Sequence, residues 1–281
     1  MADQEPWDRV VAGHFVLEKR SFWPDFFSRL VARLQWNPMA VDLTRDVREW
    51  AQLPAERRTR LLKVLAGFEV GEGAVAEQIA PYADAARKAK LASQESLMAW
   101  VFFLQRRDEA RHAQFFDRIA AEVLALPGET PADRRAAARA HVPDAFVELF
   151  EERLPAVSAD LAAGHAGLAE GISLYHMLLE GVVFDAGQQA LLDELADGAL
   201  PGVRQGLHHV IQDERWHVGF GLRCLIETQP STDVLAALVA RAGEAAAVWG
   251  DAVPAATRER SARKVAHRLH VSGLHETPAA A

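Results

Sequence analysis

The 281-residue chain has a single cysteine, Cys224, which excludes an internal disulfide and any metal site built from thiolates. Tyrosine occurs only twice, at Tyr82 and Tyr175. No apolar run approaches the roughly 20 residues that would span a bilayer, the longest being the core-sized stretch from Leu97 to Leu104. Net positive charge is also missing. The formal charge of −8 gives no support to a nucleic-acid or anionic-membrane partner. The opening residues Met1 to Pro6 lack the basic and apolar regions of a signal peptide, so a cytoplasmic location is expected. Asn-Gly or Asp-Gly turns between alternating strand patterns are absent too, and helices are the default reading.

Half of the residues are apolar and a quarter are charged, as in an ordinary globular protein long enough to bury a large core. Pro and Gly punctuate a succession of helices. One is expected from Pro54 toward Pro81, Pro54 suiting a first helical position. A second starts near Ser93, a candidate N-cap, and runs to about Leu126. Others are expected over Asp144–Gly164, Leu168–Leu195, Pro201–Thr228 and Thr232–Trp249. Residues 1–50 are less regular, and the tail from about 270 reads as frayed. The chain is expected to form one all-α domain over 1–281.

Two tetrapeptides carry the chemistry: Glu109-Ala110-Arg111-His112 and Glu214-Arg215-Trp216-His217. Residues three apart share a helical face, so each Glu and His can grip one metal ion. Chance alone supplies about one such pair in a chain of this composition, so either pair alone is weak. Their surroundings strengthen them. Val101, Phe102, Gln105 and Phe116 share the first face, and Leu207, Val210, Gly221 and Leu225 the second. A glutamate on an apolar stripe costs several kcal/mol unless a partner neutralises it; that partner is a metal ion or, more plainly, a salt bridge.

Two further long helices carry acids on apolar faces, Glu72 and Glu180, with Glu69 as the rival of Glu72. Two Glu-x-x-His helices and two single-Glu helices form the ligand set of di-iron and di-manganese carboxylate bundles, the ferritin-like four-helix architecture. The spacings between the four glutamates are 37, 71 and 34 residues. Each short interval holds part of one helix, a turn and part of the next; the long one leaves room for a crossover. Four carboxylates balance two divalent ions, and O and N ligands suit Fe and Mn.

Around these residues the chain resembles the ribonucleotide reductase small-subunit superfamily, over roughly 30 to 230. Trp36-Asn37-Pro38, Val41 to Asp46 and Trp50 look like the stretch leading into the first metal helix. Gly71-Glu72-Gly73-Ala74-Val75 and Tyr175 to Gly181 are similar to the R2-like ligand-binding oxidases. That resemblance implies a ferritin-like bundle with additional helices and a first metal site of Glu72, Glu109 and His112. It implies a second site of Glu180, Glu214 and His217. The cofactor would be Mn and Fe, or two Fe; the ligand types favour neither, and intrinsic affinities favour Fe over Mn. It further implies O2 as co-substrate, a hydrophobic long-chain, fatty-acid-like ligand, a homodimer, and an ether crosslink between Val75 and Tyr175. Tyr175 stands five residues before Glu180, so alignment with the metals needs a local π-bulge. Asp213 would orient His112 and connect it to Trp36 as an electron route. His176, His208 and His209 read as structural or surface residues. Where many reductase subunits store a tyrosyl radical this chain has Phe116, and the tail after Trp249 has no tyrosine. Both count against the alternative of a radical-generating reductase subunit. A non-catalytic, metal-storing or structural bundle is the third reading.

Overall fold

The computed structural model describes residues 23–88 and 95–274. Every regular element among them is helical. In chain order these are α1 (Trp23–Arg33), α2 (Thr44–Gln52), α3 (Ala55–Gln78), α4 (Ala80–Lys88), α5 (Glu95–Arg118), α6 (Pro131–Ala138), α7 (Asp144–Glu148), α8 (Leu154–Ala163), α9 (Leu168–Ile172), α10 (Asp185–Glu194), α11 (Pro201–Thr228), α12 (Thr232–Ala247) and α13 (Ala255–Val271). Two wide π-helical segments join neighbours without a break: Leu149–Arg153 between α7 and α8, and Ser173–Phe184 between α9 and α10. The expected N-cap Ser93 and the tail from 275 onward lie outside the described residues.

Four long helical runs surround one continuous apolar core: α3, α5, the run α9–α10 and α11. Two of them are enclosed on every side. Each residue from Val64 to Val75 in α3 is buried, and so is each residue from Ser173 to Phe184. A helix apolar all round belongs in the centre of a large core, and these two carry the single glutamates. Of the Glu-x-x-His helices, α5 turns one face inward, and α11 does so over its first half and is enclosed from Trp216 to Leu225. The residues expected on those faces are buried, Val101, Phe102 and Phe116 on α5 and Leu207, Val210 and Leu225 on α11.

Close approach of the central helices depends on small residues. A Cβ on Gly221 would lie 2.3 Å from the Cβ of His176, and one on Gly71 would lie 2.6 Å from the Phe184 ring. The wide segment Ser173–Phe184 can therefore lie against α3 and α11. In a π-helix the hydrogen bond runs from residue i+5 to residue i, which brings Tyr175 into line with Glu180.

Several boundaries differ from the sequence expectation. The helix beginning after Pro54 stops at Gln78, and α4 starts at Ala80 with Pro81 in its first turn, where a missing N–H costs nothing. Helices α1, α2, α6 and α13 were not expected. In two of them the apolar signal is weak: α13 buries Thr257, Ser261, Val265 and Leu269, a stripe half made of hydroxyls, and α2 buries only Asp46. The helix α13 packs over the π segment and α10, so helical structure continues well beyond the last expected helix, which ended at Trp249.

Asp46 fixes the start of α11. Leu200, the residue at the N-cap, takes a left-handed φ of 47° and offers no side-chain cap. Asp46 replaces it from outside, accepting hydrogen bonds from the N–H groups of Gly202 at 3.0 Å and Val203 at 2.7 Å. Loss of a capping side chain costs about 0.5–2 kcal/mol. Asp46→Ala is expected to lower unfolding stability by about 2 kcal/mol in a urea melt, with Asp46→Asn recovering part of it. A loss under about 0.5 kcal/mol would show that α11 starts without this cap.

Candidate metal centre

The glutamates and histidines singled out by sequence converge from α3, α5, the π segment and α11. Glu72, Glu109, His112 and Glu214 form one buried group; Glu109, Glu180, Glu214 and His217 form another. Within each group the candidate ligand atoms all lie within 4.8 Å of one another. Glu109 and Glu214 belong to both. Each triad that the resemblance implied lies within one of these groups, and the geometry adds that the two groups share a pair of carboxylates. One oxygen of Glu109 lies 3.5 Å from His112 Nδ1 and the other 3.2 Å from His217 Nδ1. Glu72 Oε2 is 3.6 Å from His112 Nδ1, and Glu180 Oε1 is 3.2 Å from His217 Nδ1. Glu69, the rival of Glu72, is in neither group. It is buried nearby and pushed up to about 8 by burial and by Asp117, against the pull of Arg135 and Arg134.

These contacts satisfy little hydrogen bonding. Both oxygens of Glu72 and of Glu214, one each of Glu109 and Glu180, Nδ1 of His112 and both ring nitrogens of His217 are buried without a hydrogen-bond partner. An ionised carboxylate so placed costs several kcal/mol, comparable with the whole stability of a domain. In the absence of metal the cluster responds by holding protons. Burial raises Glu72, Glu180 and Glu214; the charge of Glu214 raises Glu180 further, and those of Glu72 and Glu109 raise Glu214. Burial opposes the charge on Glu109 too, but the imidazoles of His217 and His112 win and hold it at about 2. Burial alone would lower His112; the contacts from Asp213, Glu109 and Glu72 keep it well above its usual value. The donor set and its orphaned atoms fit metal ions: the cluster is able to bind a dimetal site.

Around it lies a second layer of polar contacts, part of it not foreseen. Asp213 Oδ2 accepts from Trp36 Nε1 at 2.8 Å and lies 3.2 Å from His112 Nε2, so the expected chain Trp36–Asp213–His112 is continuous. Trp36 also stacks on His209 at 5.1 Å, which gives that half-buried histidine a structural role. Asp108 mirrors Asp213. It immediately precedes Glu109 as Asp213 precedes Glu214, a repeat visible in the sequence and overlooked there. Asp108 Oδ2 accepts from Trp216 Nε1 at 3.1 Å and lies 3.6 Å from His217 Nε2. Thus each histidine is approached by the acid next to the other helix's glutamate, and Arg111 pairs with both acids.

Gln105 was expected only as a face residue. Its amide donates to Glu109 Oε1 at 3.1 Å and to Glu180 Oε1 at 2.9 Å. Its carbonyl therefore faces His176 Nε2, 3.0 Å away, and that nitrogen must carry the hydrogen. The ring is neutral as well: burial, with the nearby His217, holds His176 down at about 3.

Val75 and Tyr175 also meet. The phenol donates to the Val75 carbonyl at 3.4 Å, and both residues are buried completely. Burial and the charges of Glu109 and Glu180 push the Tyr175 phenol well up, so it keeps its proton. Tyr82, the other tyrosine, packs edge-on against it at 5.1 Å. Phe116 stacks on Phe68 at 4.8 Å as plain core.

No family model matches the chain. Solved structures do match. A variant R2-like ligand-binding oxidase with an anaerobically reconstituted Mn/Fe cofactor superposes with a TM-score of 0.74 at 20% identity, over 92% of this chain and 96% of that one. The fold is that of the R2-like ligand-binding oxidases. A second variant, with an aerobically reconstituted Mn/Fe cofactor, gives a TM-score of 0.73 at 20% identity, over 91% and 94% of the two chains. A third oxidase structure, holding a non-activated Mn/Mn cofactor, gives 0.72 at 20% identity, over 92% and 95%. In this chain the R2-like oxidase fold brings together a pair of quartets that share Glu109 and Glu214.

The sharing separates the glutamates by experiment. Glu109→Ala or Glu214→Ala should reduce bound metal from two ions to fewer than one, whereas Glu72→Ala and Glu180→Ala should each spare one ion, as read by elemental analysis. Equal losses for all four would contradict a shared pair. Because Glu72, Glu180 and Glu214 have raised values, metal-free protein should lose stability as pH rises from their unfolded values through their folded ones. Metal uptake near neutral pH should release protons and tighten as pH rises. An indicator dye in lightly buffered solution reads that release; its absence would mean the carboxylates were already ionised. Removing the Gln105 amide with Gln105→Leu should weaken metal affinity about tenfold or more, as loss of a contact to a ligand does.

Proposed function

We propose that the protein is an O2-dependent oxidase built on two transition-metal ions, Mn and Fe or two Fe. Glu72, Glu109, His112, Glu180, Glu214 and His217 would hold them. The observation that carries this reading is the pair of interlocked quartets, most of whose buried carboxylate and imidazole atoms have no hydrogen-bond partner. When bound, such a metal pair supplies the electrons that reduce O2 and, once oxidised, the power to remove hydrogen from an unactivated C–H bond.

The chain's own residues do the rest. Glu109 and Glu214 reach both metal positions, so they can shift between terminal and bridging contacts while Glu72 and Glu180 stay at one position each. Asp213 and Asp108 orient the two imidazoles, and Gln105 steadies Glu180 and the shared Glu109. The buried aromatic shell of Phe68, Phe102, Phe116 and Phe220 excludes water. Trp36, half-buried and joined through Asp213 to His112, is the route by which an electron enters. Tyr175 and Val75 form the crosslink pair: a C–H of Val75 and the O–H of Tyr175 give way to one C–O bond, O2 taking up the two electrons and protons.

A radical-generating reductase subunit would share the Trp36–Asp213–His112 chain, but with Phe116 at the tyrosyl position. Nucleotide reduction on mixing with a reductase large subunit would favour that role instead. The oxidase reading is tested by intact mass spectrometry after metal loading, with and without O2. Loss of two hydrogens is expected only with O2, mapping to the Val75 and Tyr175 peptides and abolished by Tyr175→Phe. An unchanged mass, with both metals bound, would remove the crosslink from the reading.

A further inference from the structure

The outer hydrogen bonds treat the two quartets unequally. Gln105 is fully buried, and its amide nitrogen donates to Glu180 Oε1 at 2.9 Å and to Glu109 Oε1 at 3.1 Å. Glu109 Oε1 is the oxygen on the His217 side, 3.2 Å from His217 Nδ1. The other oxygen of Glu109, near His112, has no hydrogen-bond partner, and neither oxygen of Glu72 has one. Both amide hydrogens therefore steer the quartet of Glu109, Glu180, Glu214 and His217 on its own side.

The two ends of an amide have nearly the same shape, so packing alone leaves the direction of Gln105 open. His176 decides it. Its Nε2–H donates to Gln105 Oε1 at 3.0 Å, which turns the amide nitrogen toward the carboxylates. Reversed, the amide would set its carbonyl against two carboxylate oxygens and its N–H against the imidazole N–H.

Little else accounts for an imidazole at this place. The ring is fully buried and walled by Tyr175 at 4.9 Å, Phe102 at 5.7 Å, Phe220 at 6.0 Å and Tyr82 at 6.2 Å. Its Nδ1 is buried without a hydrogen-bond partner. Among aromatic neighbours an apolar ring would pack as well and leave no acceptor unmade. What the imidazole adds is the bond to Gln105.

We propose that His176 is a positioning residue for one metal position only. Through the Gln105 carbonyl it aims both amide hydrogens at Glu109 Oε1 and Glu180 Oε1. It thereby raises the affinity of that quartet for its ion and leaves the position of Glu72 and His112 untouched. The inference rests on the dimetal reading for its purpose and on the hydrogen bonds for its geometry.

Mn2+ is titrated anaerobically, by calorimetry, into protein stripped of metal. His176→Phe keeps a ring among the aromatic neighbours and removes the donor. It should weaken one of the two ions about tenfold, as loss of such an outer contact does, and leave the other unchanged. In a Glu72→Ala background the remaining ion should be the weakened one; in a Glu180→Ala background it should be the unaffected one. His176→Gln, whose amide nitrogen stands as many bonds from Cα as Nε2 does, should recover most of the loss. Combined with Gln105→Leu, His176→Phe should add nothing, because both act through one bond. Equal weakening of both ions, additive losses, or no recovery in His176→Gln would assign His176 to packing and overturn the proposal. Native protein that takes up no Mn2+ would sink the dimetal reading instead. Nitrogen NMR of the metal-free protein would still decide the geometry. The hydrogen should sit on Nε2 of His176, and that resonance should move in Gln105→Leu; a hydrogen on Nδ1, or an unmoved resonance, would overturn it.

Discussion

Four carboxylates and two imidazoles share a dry space within a helical core, and the rest of the structure follows from making that tolerable. Glu72, Glu109, His112 and His217 have no exposed surface at all. Ionised and unpaired, they would cost more than a domain of this size has to spare. Protons can neutralise them, or divalent cations can. The surrounding hydrogen bonds favour cations, because they aim the ligand atoms at common points instead of pairing them with each other.

That aiming is done by helices with unusual local geometry. Ser173–Phe184 is wound as a π-helix throughout, enclosed on every side, and carries Tyr175, His176 and Glu180 into the same region. Gly71 and Gly221 let it lie close to its neighbours. Asp108 and Asp213 cross between α5 and α11, each reaching the histidine of the other helix, so the two metal positions are tied together twice, by shared glutamates and by exchanged aspartates.

Ligand entry obeys a different constraint. The aromatic shell that keeps the centre dry leaves a small polar opening at Glu180 and Glu214, closed by α13. That helix was invisible to a search for apolar stripes, since it meets the core through Thr257 and Ser261 as much as through Val265 and Leu269. Its inner face reaches the same region, Lys264 pairing with Asp185 and Arg268 donating to the Gly181 carbonyl.

Helical class, the long central helices and the six candidate ligands were legible in the sequence because each leaves a local mark. Period, Pro and Gly punctuation, and acids on apolar faces depend on neighbours three or four residues away. The π-bulge at Tyr175 was expected only through the family resemblance, which set Tyr175 beside the metals; the five-residue interval to Glu180 leaves no mark of its own. What only the tertiary structure decided were relations between distant segments. These include the double membership of Glu109 and Glu214, the exchanged aspartates, the bridge made by Gln105, the cap that Asp46 lends to Gly202 and Val203, and the polar wall contributed by α13. Such contacts span from 70 to more than 150 residues, and a side chain's local pattern records which face it occupies, not what will arrive opposite it.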